Sequence, residues 1–174
     1  MKAAKYRFVV ILFIVASLVA LRQTNIKRLL AYSTVAQLSY VIMAAAILKP
    51  LAEIGASIHM VAHAFGKITL FFAAGAIYTA SKKTEVWQLA GIGRRMPWTM
   101  AAFTIGAVSM IGAPPFAGFI SKWYLVGGAL QTEQWIALGA IVISTLLNAA
   151  YFMPIVYAAF FRQEHAGIAH ADHG

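Results

Sequence analysis

"IGASIHMVAHAFGKITLFFAAGAIYTA", residues 54–80, decides how the chain is read. It is long enough to cross a bilayer, for which about 20 mostly apolar residues suffice. Yet His59, His63 and Lys67 interrupt it. They are spaced i, i+4, i+8. Steps of four turn only about 40° on an α-helix, so the three share one stripe about 12 Å long. A charge at the bilayer centre costs roughly 2.5–3.5 kcal/mol on insertion scales, so such groups face a bundle interior or water, not lipid. Burial penalises their charged forms. Ionisable groups a few ångströms apart and bridged by water can pass protons along. Two plainer readings compete: a histidine bonding a neighbouring helix, and a lysine snorkelling to the headgroups. Lys67 has a long apolar run on both sides, which makes snorkelling difficult.

The rest of the chain has the same character. Its 174 residues are 61% hydrophobic and 11% charged, with mean hydropathy +0.77; soluble domains carry about 25% charge. The composition identifies an integral membrane protein. The net charge of +9 does not imply nucleic acid, because the basic residues sit at the ends of apolar runs and no nucleic-acid motif is present. Cysteine is absent, which excludes disulfides and thiolate metal sites. Residues 8–21 follow Lys2, Lys5 and Arg7 and imitate a signal peptide, but Leu21-Arg22-Gln23 is a poor cleavage site, so a retained helix is expected.

The expected fold is all-α and polytopic, one transmembrane domain over residues 1–161 with a polar, histidine-containing tail at 162–174. Spans are expected at about 6–21, 29–48, 54–80, 97–113, 116–130 and 135–161. With six complete crossings, Arg22, Lys27, Arg28, Lys82, Lys83, Arg94 and Arg95 lie on one side. Lys2, Lys5, Arg7, Lys49 and Arg162 lie on the other, a small asymmetry for the positive-inside rule.

Pro114 and Pro115 cannot continue a regular helix, and Gly112 and Gly118 flank them. Non-helical backbone at membrane depth survives only against protein or a water-filled cavity, and broken helices often flank ion sites; a tight loop between two spans is the plainer reading. Lys122 follows the break and is the second candidate buried lysine. By position alone, Lys27 is an ordinary interfacial lysine. Glu53 and Glu133 sit at span ends, so the internal cations have no evident acidic partner in this chain. His59 and His63 form an H-x3-H pair that can ligate a metal, but the signal is weak without a third ligand. The tail residues His165, His170, Asp172 and His173 read as solvated. No nucleophilic triad, phosphate loop or nucleotide fingerprint is present, and no cofactor or metal site is expected.

Four motifs occur in order: "IKRLLAYSTVAQLSY", "HMVAHAFGKITLFFAAGAIY", "LAGIGRRMP" and "GAPPFAGFISKWYL". Over about residues 8–160 the chain resembles the antiporter-like subunits shared by respiratory complex I and the Mrp-type multisubunit cation/proton antiporters. "SKW" looks more like the D-type Mrp subunit, since the large complex I subunit tends to carry an acidic residue where Trp123 stands. The resemblance implies a fold of about fourteen helices in two inverted five-helix repeats, each with a broken helix. The spans here correspond to the last helix of the first repeat and the whole second repeat. It also implies that Lys67 is the central lysine of a proton pathway, hydrated and connected by His59 and His63. Lys122 becomes the broken-helix lysine that exchanges protons with one membrane face, and Lys27 lies near the same axis.

Some positions depart from the family pattern. Asn25 stands where aspartate is common, Ser39 where glycine is common, and Gly66 replaces a bulky residue, leaving room for water. The first repeat is missing, so a fragment or a partner that supplies that half is expected. The function so implied is a proton-conducting subunit of a multisubunit Na+/H+ antiporter in the cell inner (plasma) membrane, partnered by other membrane subunits. The alternatives are a proton-pumping subunit of NADH-quinone oxidoreductase or a membrane hydrogenase, and an inactive structural fragment. Lys122 is expected to point towards the face of the third span that carries Lys67 and His63, beside a hydrated break.

Overall fold

The computed structural model describes residues 2–163, with side chains from residue 7 onward; the tail histidines and Asp172 lie outside the described residues. The fold is all-α. Its helices are α1 (Lys2–Leu21), α2 (Ile26–Ile47), α3 (Pro50–Ser81), α4 (Ile92–Arg95), α5 (Pro97–Ile111), α6 (Ala117–Gln131) and α7 (Trp135–Phe161). By length and composition, α2, α3 and α7 are each apolar enough to cross a membrane.

Local chemistry sets the boundaries. The side chain of Asn25 accepts from the backbone N–H groups of Lys27 at 3.0 Å and Arg28 at 3.3 Å, which starts α2 at Ile26. Asn25 also donates from Nδ2 to Glu85 at 3.5 Å, a bond an aspartate could not donate. Leu48 ends α2 in the left-handed conformation, and Pro50 opens α3, so α3 begins before residue 54. Gly112, at φ +89°, ends α5.

The register of α5 and α6 against α3 fixes the topology. Gly106 packs on Leu70 and Gly66 on Met110. Further along, Ser121 bonds His59, Leu125 meets Gly55 and Gly128 meets Ala52. Ascending the chain through α5 and α6 therefore descends α3 continuously. The two helices are halves of one interrupted passage. Each has 15 residues and spans about 22 Å, short of a hydrocarbon core about 30 Å thick. The six long helices thus make five passages, and the break is a broken helix, not a loop between two spans.

This changes the charge tally. Helix α7 returns to the end of the molecule that holds Arg94 and Arg95: Phe152 stacks edge-on with Phe103, and the Gly91 N–H donates to the Ala158 carbonyl at 3.0 Å. Arg162 therefore joins Arg22, Lys27, Arg28, Lys82, Lys83, Arg94 and Arg95, leaving Lys2, Lys5, Arg7 and Lys49 opposite. The expectation of six complete crossings had put Arg162 on the wrong side.

Candidate functional site

Helix α3 runs through the middle of the bundle, against α2, α5 and α6, and carries the ionisable stripe inward. His59, His63 and Lys67 are buried, at 3%, 7% and 7% exposure. The imidazoles of His59 and His63 stack with centroids 6.0 Å apart. Lys67 Nζ donates to the Leu30 carbonyl at 2.8 Å and to the Ser33 hydroxyl, both on α2. Helix geometry makes the Leu30 carbonyl available: the Ser33 and Thr34 hydroxyls also bond back to it, a common arrangement for hydroxyls inside helices.

Lys122 enters from α6. It is 6% exposed, and its Nζ donates to the Ile111 carbonyl at 2.6 Å and to Thr145 Oγ1 at 3.1 Å. Ile111 ends α5, so its carbonyl has no helical donor ahead of it. The lysine satisfies a group that the break exposes. Pro114 and Pro115, joined by a cis peptide bond, form the interruption, and Gly118 packs directly on the Ser109 carbonyl. A cavity of about 290 Å³ beside Lys122 is lined mainly by apolar residues, among them Phe119, Trp123, Val126 and Ile141.

Two links join Lys122 to the histidines. Ser121, its neighbour in sequence, lies 3.1 Å from His59 Nδ1. The Tyr40 ring lies near both ionisable groups, 5.1 Å from the His59 ring and 5.5 Å from Lys122 Nζ. The Tyr40 hydroxyl hydrogen-bonds Ser144 on α7. A row of polar groups results: the buried Ser33, Lys67, His63 and His59, then the buried Ser121 and Tyr40, then the buried Lys122 and the half-buried Thr145. Chemically, the row combines groups that gain or lose protons with hydroxyls, at both ends and in the middle, that both accept and donate. Among the described residues, Glu53, Glu85 and Glu133 are the carboxylates: Glu53 is in the first turn of α3, and Glu85 and Glu133 are in the connections α3–α4 and α6–α7. No group of three or more metal-ligating side chains is found among the described residues.

Lys27 lies apart from this row. It is exposed at the start of α2, with its Nζ 4.7 Å from the Tyr78 ring centroid. Gly66 does not leave room for water beside Lys67: a Cβ there would meet Met110 Sδ at 3.0 Å, so the missing side chain admits α5. Sequence reasoning missed Tyr40, Ser33, Ser121, Ser144 and Thr145. The one available signal was the spacing of polar residues along α2 and α7.

An interrupted passage packed on a central helix, with a buried lysine on each and polar groups between, defines a polytopic helical membrane protein that keeps ionisable groups inside its bundle. The chain belongs to the family described as "NADH:quinone oxidoreductase/Mrp antiporter, TM", whose match runs over residues 4–148. It is 42% identical over 146 residues to NADH-quinone oxidoreductase subunit N of Desulforudis audaxviator, covering 84% of this chain and 29% of that one. It is 33% identical over 147 residues to the D-type subunit of the Na(+)/H(+) antiporter of Alkalihalophilus pseudofirmus, covering 84% of this chain and 30% of that one. Its fold is similar to a chain of the Mrp complex from Dietzia sp. DQ12-45-1b, with TM-score 0.86 and 26% identity over 94% of this chain and 30% of that one. The chain thus spans under a third of the length of these relatives.

Proposed function

We propose that the chain conducts protons within a multisubunit complex of the cell's plasma membrane. Lys67 serves as the central proton store, His63 and His59 as relays, and Lys122 as the group that exchanges with one membrane face. The observation that carries this reading is the alignment of buried ionisable groups from Lys67 through His63 and His59 to Lys122, which costs the fold several desolvated groups and has no acidic partner among the described residues. Proton flux in vesicles holding the assembled complex is expected to collapse in Lys67→Ala. Wild-type flux there refutes the role.

Two assemblies fit. Trp123 after Lys122 supports a Na+/H+ antiporter, and the 33% identity to a D-type antiporter chain agrees with it. The 42% identity to a subunit N supports a redox-driven complex, in which electron transfer belongs to partner subunits. Sodium-dependent proton movement without any reductant selects the first, and flux that requires electron transfer selects the second. A chain that only packs against partners predicts that replacing Lys67 and Lys122 together by leucine leaves pumping intact. Lys27, exposed at the start of α2 against the Tyr78 ring, has no part in the row in this reading.

A further inference from the structure

The row through the histidines includes Ser33 and Tyr40 but leaves the buried Gln37, Ser144, Asn148 and Tyr151 unused. Helix α2 carries Ser33, Gln37 and Tyr40 at steps of four and three, and α7 carries Ser144, Asn148 and Tyr151 at the same steps; all six are buried. Residues so spaced share one helix face. The helices run antiparallel, so the two faces meet in reverse order: Tyr40 with Ser144, Gln37 with Asn148, Ser33 with Tyr151. The contacts follow that order. The Tyr40 hydroxyl bonds Ser144, and the Tyr151 hydroxyl donates to Asn148 Oδ1 and faces Gln37 and Ser33. Both ends of the ladder meet a lysine: Ser33 accepts from Lys67, while Thr145, which the Tyr40 hydroxyl faces, accepts from Lys122.

The middle rung is informative. Gln37 and Asn148 are 0% exposed, yet both amide atoms of Gln37 and Nδ2 of Asn148 have no hydrogen-bond partner in the protein. Buried polar atoms left so destabilise a fold, and leucine would pack two apolar helices without that cost. Unpartnered buried polar atoms on two helices that meet are the kind that buried water bridges.

We infer that this ladder is a second proton limb between Lys67 and Lys122, independent of His59 and His63, with Gln37 and Asn148 as positioning residues that hold water between the hydroxyls. The inference rests on the proton-conducting reading above. Each hydroxyl or water accepts a proton on an oxygen lone pair and releases its own to the next oxygen. One proton leaves the Lys67 ammonium and one reaches the Lys122 amine. Only O–H and N–H bonds form and break, nothing is oxidised or reduced, and the amides keep their protons.

The test compares proton flux in vesicles holding the assembled complex. His59→Ala with His63→Ala, which removes the first limb, is expected to lower flux about two- to threefold and leave it well above that of Lys67→Ala. Gln37→Leu with Asn148→Leu should do likewise, and all four together should lower it by more than about tenfold, the non-additivity of two parallel routes. Tyr151→Phe keeps the packing and removes one rung. In the histidine-free background it should also lower flux by more than about fivefold, which keeps the test open if the leucine pair fails to assemble. If the histidine pair alone falls to the level of Lys67→Ala, or if neither Tyr151→Phe nor the leucine pair lowers flux in that background, the ladder is overturned. Wild-type flux in Lys67→Ala overturns the underlying reading and the ladder with it, a distinct pattern.

Discussion

Lys122 donates from Nζ to the carbonyl of Ile111 at 2.6 Å, across the interruption that separates α5 from α6. The same atom that would carry a proton therefore also closes the break. Lys122→Met keeps the aliphatic stem that packs on Gly112 and removes the donor. Proton flux is expected to fall to the level of Lys67→Ala. The exposed Ile111 carbonyl should lower stability by no more than about 1–3 kcal/mol. Flux and thermal unfolding of the assembled complex check the two parts separately.

Gly118 holds the other side of the break. A Cβ there would stand 1.9 Å from the Ser109 carbonyl oxygen, so the backbone itself must move to admit alanine. Overpacking costs about 1–3 kcal/mol where side chains can yield; here the obstacle is backbone. Gly118→Ala is expected to abolish or sharply reduce assembly. Gly75 has nothing within 4 Å of its hypothetical Cβ, and Gly75→Ala should be neutral or stabilising by up to about 1 kcal/mol through helix propensity. Equal assembly of the two variants contradicts the close contact.

The apolar runs and the stripe of His59, His63 and Lys67 were legible because both follow from spacing along one helix. The stacking of α5 on α6 was not. Pro114-Pro115 signals an interruption, but a break inside one span and a loop between two spans look alike locally. What separates them is the 15-residue length of each half and the residues of α3 that each meets. The hydroxyls around the lysines were hidden for another reason. A serine or threonine inside a helix can bond its own preceding turn, as Thr145 does to the Ile141 carbonyl at 2.9 Å, so its presence does not announce a partner. Tyr40 reads as an aromatic core residue until α3 and α6 converge on its ring.

Tyr40 separates packing from hydrogen bonding. Its ring meets Phe13 and His59 as well as the Lys122 ammonium, and its hydroxyl meets Ser144. Tyr40→Phe keeps the ring and should cost about 0.5–1.5 kcal/mol, the net worth of a typical hydrogen bond. Tyr40→Ala should cost about 3–5 kcal/mol, the range for deleting a buried aromatic. Because the ring lies near both His59 and Lys122, flux should fall further in Tyr40→Ala than in Tyr40→Phe. Equal flux in the two removes the ring from the pathway.

The five-passage topology makes orientation testable. Arg22, Lys27, Arg28, Lys82, Lys83, Arg94, Arg95 and Arg162 share one end, against Lys2, Lys5, Arg7 and Lys49 at the other. Basic residues close to span ends favour the cytoplasmic side, so the end with eight is expected there. The chain contains no cysteine, which makes single-cysteine labelling unambiguous. Thr24 is exposed at the more basic end, and Gln131 is exposed where α6 closes at the other. Thr24→Cys should react with a membrane-impermeant maleimide only from the cytoplasmic side, and Gln131→Cys only from the opposite side. Both substitutions leave the basic residues in place, so the label reports orientation without changing its cause. The reverse pattern would invert the chain, and labelling of both positions from one side would refute the stacking of α5 on α6.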